Sequence, residues 1–134
     1  MLILKKIFTF FVTLLLYSQL VMSFSTLAYE ENTSNQENII SQVNFLFKED
    51  SEKLLYNEVV ELGNDIILRR DEFPSEVLAK TYLLLANVAS NKGELETAHQ
   101  FTKDGLDIYT GHKTVKLCLQ IKLANILSTK RQYE

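Results

Sequence analysis

Few side chains in this sequence can do chemistry. Its 134 residues include two histidines, His99 and His112, one cysteine, Cys118, one proline and no tryptophan. A catalytic histidine or a metal ligand needs a partner within reach, usually at a short regular spacing, and neither histidine has one. A lone cysteine excludes an internal disulfide and any multi-cysteine metal site, and Cys118 reads as a small apolar residue. Glu58, Glu61 and Asp65, and then Asp71 and Glu72, read as solvated faces rather than acid–base pairs. There is no glycine-rich phosphate loop and no nucleophile beside a base. The residue inventory therefore points away from an enzyme, and no catalytic residue, metal or cofactor is expected.

Charge is distributed unevenly. Residues 1–29 carry two charges, Lys5 and Lys6, and all 17 acids lie at or beyond Glu30. Without residues 1–28 the chain holds 17 acids against 12 bases, a formal charge of −5. A domain that acidic, with no basic cluster, is a poor partner for nucleic acid. Residues 1–28 run from that short positive start into an apolar stretch from Ile7 to about Leu20, followed by the small residues Ser23, Ser25 and Ala28. This is the layout of a secretory signal peptide. Cleavage after Ala28 uses Thr26 and Ala28 as the small positions, and cleavage after Ser25 uses Ser23 and Ser25. The alternative is an uncleaved membrane anchor, because the apolar run approaches the ~20 residues that cross a bilayer. Either way the remainder is expected outside the cytoplasm, as a secreted or periplasmic domain or as one anchored to the membrane. Residues 29–37, YEENTSNQE, have almost nothing to bury and are expected to be a flexible polar linker.

From residue 38 onward the apolar spacing is helical. Ile39, Ile40, Val43, Leu46 and Phe47 form the first stripe, and Asp50 or Ser51 can cap the second helix. Leu55, Val59, Leu62 and Ile66 form the second stripe, closed by the charged run 69–72. Pro74 and Ser75 open the third, with Leu78, Tyr82, Leu85 and Ala89 on one side, and residues 91–93 end it. A fourth, residues 94–109, carries Leu95, Ala98, Phe101, Gly105 and Leu106. After a break at residues 110–112 the last stretch is ambiguous: Val115, Leu117, Leu119, Ile121 and Leu123 alternate as in a strand.

An internal repeat resolves that ambiguity. Residues 85–96, LANVASNKGELE, and 123–134, LANILSTKRQYE, are identical at six of twelve positions, 38 residues apart. A weaker copy lies upstream at an offset of 39, pairing Leu46 with Leu85, Tyr56 with Leu95, Val59 with Ala98 and Leu62 with Phe101. Self-similarity at such a period marks a solenoid, so residues 113–130 are expected to be helical like their partner. The stretch LANVASNKGELETAHQFTKDGLDI resembles the tetratricopeptide repeat family. Leu85 and Ala86 match its leucine and small residue, Gly93 its turn glycine, Ala98 the small residue where paired helices cross, and Phe101 and Leu106 its second helix. Tyr82 stands where tryptophan is typical, Ala89 where tyrosine is and Thr110 where the closing proline is, and the period exceeds the family's 34 residues. The resemblance implies an all-α fold of antiparallel helix-turn-helix units, about two and a half of them, over residues 38–134.

The resemblance also implies a concave groove for peptides or protein segments, lined by one face of each unit's first helix. In the middle unit that face holds Lys80, Leu83, Asn87, Ser90 and Asn91. Its equivalents are Ser41, Asn44, Lys48, Ser51 and Glu52 upstream, and Cys118, Ile121, Asn125, Ser128 and Thr129 downstream. Asn87 and Asn125 suit a peptide backbone best, since a carboxamide both donates and accepts. Leu83 stands where the family's carboxylate-binding subgroup has lysine, which argues against capture of a C-terminal carboxylate by that route. The expected function is an exported protein- or peptide-binding module. The alternative is the extracytoplasmic sensor portion of a larger bacterial membrane signalling protein. The third unit has a first helix and no second, so the face with Leu123, Ile126 and Leu127 is expected to be partly bare. That implies a truncated chain or a surface covered by self-association or a partner. Because Ala98 is placed where two helices cross, Ala98→Leu should cost about 1–3 kcal/mol of stability by overpacking; a melting temperature equal to the parent's would misplace that crossing.

Overall fold

The computed structural model describes residues 1–48, 56–108, 111 and 113–133, with the side chains of residues 2–6 and 133 left aside. The expected caps Asp50 and Ser51, the core residue Leu55, the groove residue Glu52, and Tyr109, Thr110, His112 and Glu134 lie outside the described residues. The described part is all-helical: α1 (Leu2–Lys48), α2 (Tyr56–Leu68), a short 3-10 turn (Arg70–Glu72), α3 (Ser75–Asn91), α4 (Leu95–Asp107) and α5 (Lys113–Tyr133). It divides into two compact units, Met1–Glu37 and Asn38–Glu134.

The first unit is helical throughout, including residues 29–37, where the composition predicts a flexible linker. The reason is local. No glycine or proline occurs before Gly63, so nothing in residues 1–48 breaks a helix. Hydroxyls within it bond back to the preceding turn: Thr13 donates to the Thr9 and Phe10 carbonyls, Ser18 to Leu15, Ser23 to Leu20, and Thr33 to Tyr29 and Glu30. Its large apolar side chains, among them Phe8, Phe11, Leu15 and Phe24, are exposed. By length and composition α1 can cross a membrane, a test that a signal sequence also passes.

In the second unit the helices form where the apolar periods place them. Pro74 precedes the first residue of α3, and the Val77 and Leu78 amides donate to its carbonyl. Gly93, at φ +80°, ends the turn after α3 in the left-handed region that a side chain disfavours. The Glu94 amide reaches back to the Ala89 carbonyl and closes the helix end. α3 and α5 begin 38 positions apart in sequence, the period of the repeat, and residues 113–133 are helix rather than strand.

Packing gives the order of the helices. The end of α1 and the whole of α2 share a core with α3: Ile39 and Val43 with Val59 and Ile66, and with Val77, Leu78, Leu84 and Val88. The other flank of α3, Ala79 and Leu83, meets Val115 and Leu119 of α5. Further along, Ala89 meets Ala98 of α4 and Ile126 of α5. Early α3 therefore meets early α5 and late α3 meets late α5, so the two run parallel. α4 runs back between them, and Lys130 near the end of α5 pairs with Glu96 at the start of α4, Nζ to Oε1 2.6 Å. That hydrogen bond holds the Glu96 carboxyl below its ordinary range, although so exposed a pair adds little stability. Ala98 is fully buried, at the contact between α3 and α4 where the sequence places a crossing. On the other side Gly63 lets α2 approach α3: a Cβ there would stand 2.8 Å from Leu85 Cδ2.

The face with Leu123, Ile126 and Leu127 is covered at one end of its range and open at the other. Ile126 is 1% exposed, covered by Ala89 and Ala98 with Phe101 beside them, because α4 and α3 together close over it. Leu123 is half-buried, and Leu127, 42% exposed, is the open member of the three. Ile126→Ser should therefore cost about 2–4 kcal/mol, through lost burial and a buried hydroxyl. Leu127→Ser should stay within about 0.5 kcal/mol of wild type. Equal losses in denaturant melts of the two variants would contradict this packing.

Candidate binding groove

Parallel α3 and α5, with the last turn of α1 beside them, leave a concave surface between three helices. It holds a cavity of about 580 Å³, within the range of ligand sites. α1 contributes Leu46, Phe47 and Lys48; α3 contributes Leu83, Leu84 and Asn87; α5 contributes Cys118, Ile121, Lys122 and Asn125. Leu83, Asn87, Ile121 and Asn125, placed on one face from the sequence, thus meet in one cavity, together with Lys48 and Cys118 of the equivalent positions.

The others stand elsewhere. Lys80 is committed to the scaffold: its ammonium donates to Asn44 Oδ1 at 2.7 Å, pairs with Glu76 Oε1 at 2.6 Å and sits 5.3 Å from the centre of the Phe47 ring. It ties α3 to α1 behind the groove, and Asn44 goes with it. Leu83 is only 7% exposed and packs with Ala79, Val115 and Leu119, so it forms the floor rather than a contact surface. Ser90 and Asn91 lie past the cavity, toward the end of α3, where the Ser90 carbonyl accepts the Gly93 amide. Thr129 turns its hydroxyl to the Asn125 carbonyl. Ser41 lines a second concavity, with Gln42, Phe45, Glu58 and Leu62.

The polar groups of the groove differ from those of the core. Thr81 and Thr102 are buried and donate to the Val77 and Ala98 carbonyls at 2.8 and 2.7 Å, the usual way a buried hydroxyl is satisfied. The carboxamides of Asn87 and Asn125 make no hydrogen bond to a described residue. Both line the cavity with no described residue occupying their donors or acceptors.

Lys122 is a groove residue that the face assignment omits. It pairs with no acid among the described residues, and burial alone pushes its ammonium below the ordinary lysine range. One repeat earlier its position is Leu84, a core residue. The signal is present in the repeat alignment, where a lysine replaces an inward-facing leucine. Among the described residues no group of three or more histidine, cysteine or acidic side chains is placed to hold a metal. Cys118 is a half-buried free thiol in the groove wall, and His99 is half-buried on α4.

Comparison of the chain with family models, with curated proteins and with solved structures gives no match.

The lysine has a measurable consequence. The unfolded chain binds the Lys122 proton more tightly than the folded domain does, so stability rises with pH through the interval from the lowered folded value up to the ordinary value of about 10.4. Lys122→Met keeps the aliphatic stem and removes the charge. Near neutrality it should melt above wild type, and the gap should shrink as pH climbs through the lowered folded value toward the ordinary value of about 10.4. A variant that melts lower at every pH would show that the ammonium is stabilised by the fold.

Proposed function

We propose that the chain is an exported interaction module that performs no chemistry, an α-solenoid of the tetratricopeptide type that holds an extended peptide or protein segment in the groove of α1, α3 and α5. The observation that carries this reading is the pair Asn87 and Asn125. They stand one repeat apart on two parallel helices in contact, on one concave surface, with their hydrogen-bonding capacity unused by described residues. Packed helices lie about 8–10 Å apart and an extended chain rises about 3.3 Å per residue. The two carboxamides would therefore meet backbone groups roughly three residues apart. The apolar floor of Leu46, Phe47 and Leu83 offers burial to a side chain between them.

A second reading has its own support. α1 is long and apolar enough to span a membrane, which suits the extracytoplasmic portion of a membrane-held signalling protein as well as it suits a cleaved signal. The two differ in the exported product. Mass spectrometry should find a mature N-terminus at Tyr29 or Thr26 for the secreted module, whereas Met1 retained in the membrane fraction favours the anchored one.

Binding is tested by panning the full chain, held in neutral detergent, against a display library of random extended peptides. Selected peptides should bind in the micromolar range, about −8 kcal/mol. Asn87→Ala or Asn125→Ala should weaken them about 3–10-fold, the worth of one or two hydrogen bonds. A library that yields no binder, or binders indifferent to both substitutions, would remove the groove from consideration.

A further inference from the structure

Among the described residues the groove carries a charge opposite to that of the domain around it. The chain beyond residue 28 carries a formal charge of −5, yet no acidic side chain lines this cavity among the described residues, while two lysines do. Lys48 is exposed at the rim, where α1 ends. Lys122 is set deeper, half-buried on α5, at the repeat position that Leu84 fills with core packing. Partial burial disfavours its charge, and none of the described residues pairs with it, so the ammonium is open to an acidic partner. Elsewhere in the domain each cation on a packed face has its partner: Arg69 has Asp65 and Glu72, Lys80 has Glu76 and Asn44, and Lys130 has Glu96. Lys122 departs from that pattern, and its charge borders a concavity of ligand size.

We propose that the groove takes an acidic peptide segment, in which an aspartate or glutamate side chain pairs with the Lys122 ammonium while a neighbouring apolar side chain settles on Phe47, Leu46 and Ile121. This deepens the peptide-binding reading above and rests on it. One ammonium set among carboxamides matches a monoanion. No arginine lines the groove among the described residues, so the planar fork that favours a dianion such as phosphate is missing. The apolar wall excludes water around the pair and strengthens it beyond an exposed salt bridge. Ile121 is more than half exposed, and the bound segment would cover it. The carboxylate belongs to a side chain inside the segment, because Asn87 and Asn125 engage the backbone on either side of it.

The test uses the same full chain in neutral detergent and a library displayed by its C-terminal end, so that no peptide offers a free C-terminal carboxylate. Selected peptides should be enriched in aspartate or glutamate next to an aliphatic or aromatic residue. Against those peptides Lys122→Met should weaken binding about tenfold or more, the loss of one charge-assisted hydrogen bond. Lys122→Arg should restore most of that loss, and Lys122→Glu should shift selection toward lysine- or arginine-bearing peptides. Peptides that depend on Asn87 but lack acids, or acidic peptides that bind Lys122→Met as well as wild type, would overturn the acidic assignment and leave the peptide-binding reading standing. Failure to select any peptide would overturn both.

Discussion

Every helix of the second unit leans on α3. Eleven of its seventeen residues are buried, and they point in every direction around its axis: Val77, Leu78, Leu84 and Val88 toward α1 and α2, Ala79 and Leu83 toward α5, Ala89 toward α4 and α5. A helix apolar on one stripe can be covered by one neighbour, but a helix apolar all round must be enclosed. That requirement brings α2, α4 and α5 together around a single element, and each large buried side chain supplies about 1.5–3 kcal/mol toward the cost of ordering the chain. The small residues Ala98, Gly105 and Gly63 let these neighbours come close. At Gly105 an added Cβ would stand 3.0 Å from Leu119 and 3.1 Å from Tyr82, where α3, α4 and α5 converge.

The enclosure also explains the position of the groove. α4 runs antiparallel on one side of α3 and α5, so these two are left parallel and adjacent, with one shared flank uncovered by α4. Lys80, bound to Glu76 and Asn44, fixes the last turns of α1 along that flank. Three helix surfaces then meet over part of their length, and the cavity lies where they diverge. Its floor is continuous with the core through Leu83 and Leu84.

Much of this can be read from the residues, for identifiable reasons. Helix starts and stops near Pro74 and Gly93 follow from backbone chemistry that acts within a few residues. The alternating stretch 115–123 is ambiguous because its period fits a strand locally, and only the copy 38 residues upstream carries the helical information. The polar stretch 29–37 is helical although its composition offers no core-facing side, and it holds no glycine or proline to break the helix. Counting helices leaves the face with Ile126 partly bare without showing that Ile126 is its covered member. Its burial depends on α4 and α3 closing over it together, which pairwise repeat logic does not contain. Lys80 falls on the groove face by angle alone, and its capture by Asn44, 36 residues away, is a tertiary event. Lys122 escapes the face assignment for the opposite reason: its angle places it inward, where a lysine is not sought.

That last case gives the groove its chemical character. The buried hydroxyls Thr81 and Thr102 each find a carbonyl one turn back, and no described buried side-chain polar atom is left without a partner. Local satisfaction is open to a threonine on any helix because its oxygen is close to its own backbone. A lysine ammonium has no such recourse: it lies several bonds from the backbone and needs either water or an acid. On α3 the equivalent position is a leucine that joins the core formed with α1 and α2. On α5 the same position lines the cavity beside Leu84 and Ile121, where a long side chain can lay its methylenes on apolar surface and keep its charge toward solvent. One register position therefore has two environments, a packed core on α3 where α1 and α2 cover it and a cavity wall on α5 where they do not.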